Sequence, residues 1–287
     1  MHRMLFFSLC ALCAMGFSTR LQASELDRFQ GLSGELRITG SEAGLPAVLQ
    51  AVRAIMAANP KVVITVAPTG TGIGVRQVKN RQAAIALSDR VLDVAALAKA
   101  GLGVVPYAID PVTVVVNPAN PVMGLSVEQA KSMFGGRIKS WSELGGTPDS
   151  VLPLYLQASE AEDKPLTKPW AMTISTQPSI KWSVSHNKDI VGFVSLRDLD
   201  ASLKPLPLEG AAPTLENFKA GGWMVYRTLY LVLDAAPTGL AKAFLEYMLG
   251  PDGQALLVDA GYAPLAAKPA RESLLPVVNP EALMAGL

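Results

Sequence analysis

The stretch Val62-Val63-Ile64-Thr65-Val66-Ala67-Pro68-Thr69-Gly70-Thr71-Gly72-Ile73-Gly74 reads as a β-branched strand that runs into a glycine-rich turn. A short helix is expected from Val75 to Asn80. The same order of strand, loop and helix lies on either side of it. Upstream, Leu36 to Thr39 is a short strand followed by Gly40-Ser41-Glu42-Ala43-Gly44-Leu45-Pro46. A helical pattern then covers Ala47 to Ala58, with apolar Val48, Leu49, Val52, Ile55 and Met56, and Asn59-Pro60 stops it. Downstream, Ala83 to Leu87 is an apolar strand closing on Ser88-Asp89-Arg90, and Ala95 to Ala100 is helical. Strands alternating with helices at this spacing predict an α/β fold with a mostly parallel sheet.

The chain is long enough for two cores. Arg3, the apolar run from Met4 to Phe17 and the small residues ending at Ala23 have the layout of a secretory signal peptide. That run is shorter than the roughly twenty residues a membrane-spanning helix needs, so cleavage near Ala23 is expected. The 287 residues less the 23 of the leader leave about 264, more than one core usually organises. Both cysteines, Cys10 and Cys13, lie in the leader, so the exported chain is expected to have no disulfide and no thiol chemistry. Loss of Arg3 and Arg20 leaves 23 basic side chains against 24 acidic, a net charge of −1 with no basic block, which argues against nucleic-acid binding. His186 is then the one histidine left, which weakens metal-site and triad chemistry, and no cofactor is expected.

From Val104 to Asn117 the chain is almost continuously apolar, broken by Asp110-Pro111, and is read as a strand pair crossing between lobes; Tyr226 to Leu233 is read as the return crossover. A helix is predicted over Ser126 to Leu144, with Gly135-Gly136 as its end or a turn within it. Val151 to Leu156 and Ile190 to Leu196 are strands, and Gln157 to Pro169 is irregular. Helices follow at Thr238 to Leu249 and Asp252 to Ala260, and the tail after Ala267 is expected to wrap the surface without adding a core of its own. Trp141, Trp170, Trp182 and Trp223 are assigned to apolar packing.

In open α/β sheets ligands bind where strands hand over to helices. There Ser41, Thr69 and Thr71 offer hydroxyls, and the glycines, Gly70 among them, offer unobstructed amides at a helix start that attracts anions. The structural alternative for Thr69 to Gly74 is an ordinary turn with a threonine cap. The glycine spacing matches neither a dinucleotide fingerprint, since position 75 is Val, nor a P-loop. Ser88, Asp89 and Arg90 end the third strand. A buried carboxylate at Asp89 suits an anion that carries its own proton: monohydrogen phosphate donates a hydrogen bond to it, and sulfate has none to give. Asp89 as a helix N-cap is the compatible structural alternative.

Taken in order, Gly40-Ser41, Thr69-Gly70-Thr71-Gly72 and Ala86-Leu87-Ser88-Asp89-Arg90 resemble the substrate-binding proteins of phosphate ABC transporters. The resemblance extends through Val105-Pro106-Tyr107-Ala108, Val114-Val115-Val116-Asn117, Phe134-Gly135-Gly136-Arg137-Ile138 with Trp141-Ser142-Glu143-Leu144, Gly192-Phe193-Val194-Ser195-Leu196, Gly250-Pro251-Asp252-Gly253-Gln254 and Gly261-Tyr262-Ala263-Pro264-Leu265, over roughly residues 34 to 266. It implies a two-lobed periplasmic binding fold of type II-like form, with mixed or parallel sheets, helices on both faces and two crossover strands as hinge. Residues 24–108 with 227–287 are expected to form one lobe and 109–226 the other. The resemblance places Ser41, Thr69 or Thr71, and Asp89 against the ligand, and implies a monomeric, non-enzymatic periplasmic receptor that delivers phosphate or a related oxyanion to an ABC permease in the inner membrane. A sensory or protein-interaction module on the same fold is the alternative function.

The second lobe departs from the pattern. The family places an Arg and then a Ser-Gly-Thr helix start after the strand that here reads Leu152-Pro153-Leu154-Tyr155-Leu156, whereas Gln157-Ala158-Ser159-Glu160-Ala161-Glu162-Asp163 follows. Ser159 is the one hydroxyl in that stretch and joins the candidate set. The missing guanidinium means a different ligand, a lower affinity, or a substitute cation from Arg76, Arg90 or Arg227. Glu42, beside Ser41, opposes an anion unless it points away toward a helix start.

Overall fold

The computed structural model describes residues 24–90, 92–156, 170–174, 176–223, 225–269 and 273–275. In chain order the elements are β1 Gly34–Gly40, α1 Leu45–Ala58, β2 Val62–Pro68, α2 Thr71–Lys79, β3 Ile85–Ser88, α3 Val94–Lys99, β4 Leu102–Val116, α4 Val127–Phe134, β5 Leu152–Leu156, β6 Met172–Ile174, α5 Gln177–His186, β7 Ile190–Ser195, β8 Lys204–Pro205, α6 Leu215–Lys219, β9 Tyr226–Asp234, α7 Gly239–Leu249 and α8 Pro251–Asp259. The strands form one curled sheet of order β2-β1-β3-β9-β4-β7-β5-β6, with β8 beside β4. The α/β fold with helices on both faces is as expected. Among the described residues no helix is long and apolar enough to cross a membrane. The leader, residues 1–23, lies outside the described residues.

The sheet is more mixed than the local spacing suggests. Strands β1 and β2, β1 and β3, β5 and β7, and β5 and β6 are parallel. The centre is antiparallel, because β9 returns against both β3 and β4, and β4 runs against β7. The apolar run after Val104 is one continuous strand instead of a strand pair. Strand β4 pairs with β9 from Leu102 opposite Asp234 to Pro111 opposite Tyr226, with a register shift between Pro106 and Ala108, and its second half pairs with β7 from Val112 opposite Ser195. Thus β4 and β9 are the two strands shared by both halves of the sheet.

Period-two alternation splits the apolar residues between two faces at each end. On one half, Ile85, Leu87, Leu231 and Leu233 pack with α1, α7 and Tyr262, while Ala86 and Val232 pack on the other face with Val75 and Val78 of α2. On the other half, Val112, Val114, Phe193 and Trp223 form one cluster, and Val115, Val194, Ile180 and Val184 another. Phe134 stacks on Phe193 with ring centroids 4.2 Å apart. Each fully buried side chain of this size contributes about 1.5–3 kcal/mol. Trp141 and Trp223 are buried as expected, and Trp223 Nε1 donates to Val112 O at 2.9 Å; Trp182 is exposed.

Two local expectations take definite form. The helix that starts after Ser126 ends at Phe134 with Gly135 as its C-cap, so Gly135-Gly136 is its end and not a turn within it. Ser126 and Gln129 close a capping box at its start, but Gly136 takes φ +75°, and a separate short 3-10 turn begins at Trp141 under its own Ser140 cap. The tail forms no core of its own among the described residues, but Leu275 is fully buried in the cluster around Trp223, and Ser273 Oγ accepts from Tyr226 N at 3.0 Å.

Candidate functional site

The loops after β1, β2 and β3 are tied to one another through their backbones. Ser41 N donates to Leu87 O at 2.8 Å, and Gly70 N donates to Gly40 O at 2.9 Å. Such close approach depends on Gly40, which has φ +113° and whose absent Cβ would lie 2.3 Å from Leu87 O. Gly70, at φ +82°, turns the chain into α2. Hydroxyls from three separate strand ends are thereby gathered at one edge of the sheet.

The two threonines of the second loop separate. Thr69 Oγ1 lies 2.7 Å from Thr39 Oγ1 and accepts from Gly40 N at 3.2 Å, so it braces the loop. Thr71, buried at the start of α2, donates to Asp89 Oδ1 at 3.0 Å. Ser88 Oγ accepts from Arg90 N at 3.3 Å and donates to Arg90 O at 3.1 Å, fixing the turn that presents Asp89. The cap of α3 is Asp93, whose side chain accepts from Ala96 N at 2.9 Å, so Asp89 is not the N-cap of that helix. Ser41 is buried, and its Oγ accepts from Ala43 N at 3.2 Å, leaving its own proton to donate. Ser159 lies outside the described residues.

Asp89 is 7% exposed, and the cation beside it is Arg227 from β9. Arg227 Nη1 donates to Asp89 Oδ2 at 3.2 Å, and Nε donates to Asp110 Oδ2 at 2.8 Å. Asp110 is fully buried in β4 and also accepts from the Ser195 hydroxyl at the end of β7. Burial alone would lower the Arg227 pKa, but Asp110 and then Asp89 outweigh it, and the net shift is upward. Tyr107, packed beside this cluster, is pushed well up, first by burial and then by Tyr262 and the two carboxylates, and stays a neutral phenol. Of the three candidate cations, Arg76 is exposed, Arg90 belongs to the Asp89 turn, and Arg227 touches Asp89. Sequence reasoning missed Asp110 and Ser195. A lone carboxylate in an apolar strand was the signal for Asp110; nothing local marked Ser195.

Glu42 points away from this cluster. Its Oε1 accepts from Gln177 N at 2.9 Å, at the first turn of α5, where the helix dipole favours a carboxylate. The next residue, Ala43, accepts through its carbonyl from Tyr262 Oη at 2.6 Å and from Arg197 Nη2 at 3.4 Å. The chemistry on display is hydrogen bonding and charge. Asp89 has lone pairs beyond those used by Thr71 and Arg227.

The sequence is 28% identical over 278 residues to the phosphate-binding protein PstS of Bacillus subtilis, covering 91% of each chain. Among solved structures, an ABC-type phosphate transport receptor from Vibrio cholerae matches with a TM-score of 0.69 at 25% identity, over 80% of this chain and all of that one. A putative phosphate ABC transporter substrate-binding protein with bound phosphate from Clostridium perfringens shares the fold at a TM-score of 0.72 and 22% identity, over 81% of this chain and all of that one. The profile of the family described as a PBP superfamily domain matches residues 30–252, and with the crossover-strand architecture set out above, the chain belongs to the PBP superfamily.

Proposed function

We propose that this chain is the periplasmic solute-binding component of a phosphate ABC transporter, and that it holds monohydrogen phosphate without transforming it. The observation that carries the reading is the buried Asp89 at the end of β3, approached by a neutral hydroxyl from Thr71 and by a guanidinium from Arg227 on the antiparallel β9. A carboxylate there is a poor partner for a fully ionised anion and a good acceptor for the P–OH proton. Ser41 and the amides around Gly70 are the donors assigned to the remaining phosphate oxygens, joined by Thr69, Ser88, Arg90 and Ser159 as the wider candidate set. The names of the Bacillus and Vibrio relatives support the ligand and the transporter role.

In this reading residues 24–108 and 227–287 form one lobe, 109–226 the other, and the exported chain acts as a monomer on an inner-membrane permease. Calorimetric titration of residues 24–287 with phosphate, sulfate, molybdate and acetate tests it. Phosphate is expected to bind most tightly, and silence from all four at millimolar concentration would sink the oxyanion assignment.

A further inference from the structure

We infer that Arg227, carried on the crossover strand β9, is itself a ligand-binding residue that gives an Nη2 N–H to an oxygen of the bound oxyanion. The inference rests on the phosphate reading above and names the cation that reading needs. Three observations carry it.

The first is a donor count. The guanidinium has five N–H donors and stays charged at all working pH values. Nε is taken by Asp110 and Nη1 by Asp89. Nη2 lies 2.7 Å from Asp110 Oδ2, near enough for charge attraction, but without the alignment of a hydrogen bond, and among the described residues it has no hydrogen-bond partner. The side chain is 3% exposed, so water does not readily supply the missing acceptor. A buried, unpaired donor is costly, and buried donors are as a rule matched.

The second is position. Arg227 touches the same Asp89 whose other oxygen accepts from Thr71. An oxyanion seated at the strand ends beside Asp89 is therefore within reach of the guanidinium that Asp89 holds. The third is charge: Asp89, Asp110 and Arg227 sum to −1, and without Arg227 a dianion would face two buried carboxylates. Position 157, where the family carries its arginine, is Gln. Of the alternatives, Arg76 is exposed, and Arg197 stacks on the Tyr262 ring and pairs with Asp198.

The test is phosphate titration of wild type and Arg227→Lys, with circular dichroism and melting curves confirming the fold of each. Lysine keeps the charge but not the planar fork, and one ammonium cannot serve Asp89, Asp110 and a ligand oxygen together. We expect Kd for phosphate to rise about ten- to hundredfold, the loss of one charge-assisted hydrogen bond. A folded R227K variant with unchanged Kd would overturn the inference and leave the phosphate reading standing; a wild type that binds no phosphate would overturn that reading instead. Should R227K fail to fold, nitrogen-15 NMR of the wild type decides, with guanidinium signals assigned through bonds to the Arg227 backbone. A scalar coupling across the hydrogen bond from Arg227 Nη2 to phosphorus-31 supports the contact, which a purely structural arginine would not show. Coupling confined to other donors, with the Arg227 signals unmoved, refutes it.

Discussion

Replacing Asp89 by Asn tests the selectivity that the site chemistry implies. In the wild type each carboxylate oxygen already accepts one hydrogen bond, Oδ1 from Thr71 at 3.0 Å and Oδ2 from Arg227 at 3.2 Å, and lone pairs remain for a ligand proton. The amide keeps one acceptor oxygen and removes the negative charge. A hydrogen bond to a charged acceptor is worth about 1.5–3 kcal/mol against about 1 for a neutral pair. The P–OH contact therefore weakens by about 0.5–2 kcal/mol, which raises the phosphate Kd by about two- to thirtyfold. Sulfate moves the other way, because a like charge has gone and an N–H donor has arrived. Competition calorimetry at pH 8, where phosphate is mainly the monohydrogen form, reads both affinities on one sample. The phosphate-to-sulfate preference should fall by more than the roughly two- to thirtyfold loss in phosphate affinity alone, because the two effects act in the same direction. A folded D89N protein with its preference unchanged would remove Asp89 from the proton-accepting role.

Asp110→Ala strands the Arg227 charge with Asp89 as its remaining carboxylate, and breaking a buried pair in this way costs about 3–5 kcal/mol. At about 2–4 °C per kcal/mol for a chain of this size, melting by circular dichroism should fall about 6–20 °C, and a fall under about 2 °C would show the pair to be energetically idle. Gly40→Ala places a methyl 2.3 Å from Leu87 O at φ +113°, so strain and clash combine. A loss of about 3 kcal/mol or more is expected in urea unfolding, and oxyanion affinity should drop with it as the loops part. Asp200 is held down to about 2 by Lys181 at 2.6 Å and by the Ser202 hydroxyl and amide. Because the folded value lies below the unfolded one near 4, its contribution is present above about pH 4 and is lost as the pH falls toward 2. The urea midpoint of Asp200→Asn should therefore change less than that of the wild type between pH 4 and 2, and parallel curves would refute the assignment.

How much of this was legible in the sequence depends on how far apart the partners lie. Strands β1, β2 and β3 and their loops were readable because alternation, β-branching and glycine turns are local. Helix α5 was not: Gln177 to His186 buries only Ile180 and Val184, too thin an apolar stripe to mark it. The return of β9 against β3 and β4 is a tertiary choice with no local signature, which is why local spacing alone reads as a mostly parallel sheet. Within the site, Asp89 followed from the rule that loops at strand ends bind ligands. The choice between Thr69 and Thr71 needed the turn geometry. Arg227 was one of three candidates until its 3.2 Å contact with a residue 138 positions away separated it from Arg76 and Arg90. Asp110 and Ser195 meet across 85 residues through the β4 and β7 register, a coincidence that no spacing rule reaches.

The positions of these charges also explain why a carboxylate is tolerable where an anion is proposed to sit. Isolated, Asp89 and Asp110 would each cost several kcal/mol to bury, and Arg227 as much again. Joined, they satisfy one another along a line from Thr71 through Asp89, Arg227 and Asp110 to Ser195, which passes from the first loops through both crossover strands to β7. Each acid in this line has fixed donors. The lone pairs that Asp89 keeps can accept a proton-bearing oxygen, while Arg227 offsets only one of the two negative charges. A ligand without a donor proton meets the uncompensated charge at full strength. A ligand with one converts the same charge into a hydrogen bond, and discrimination then rests on the ligand's protonation state and not on its size or shape.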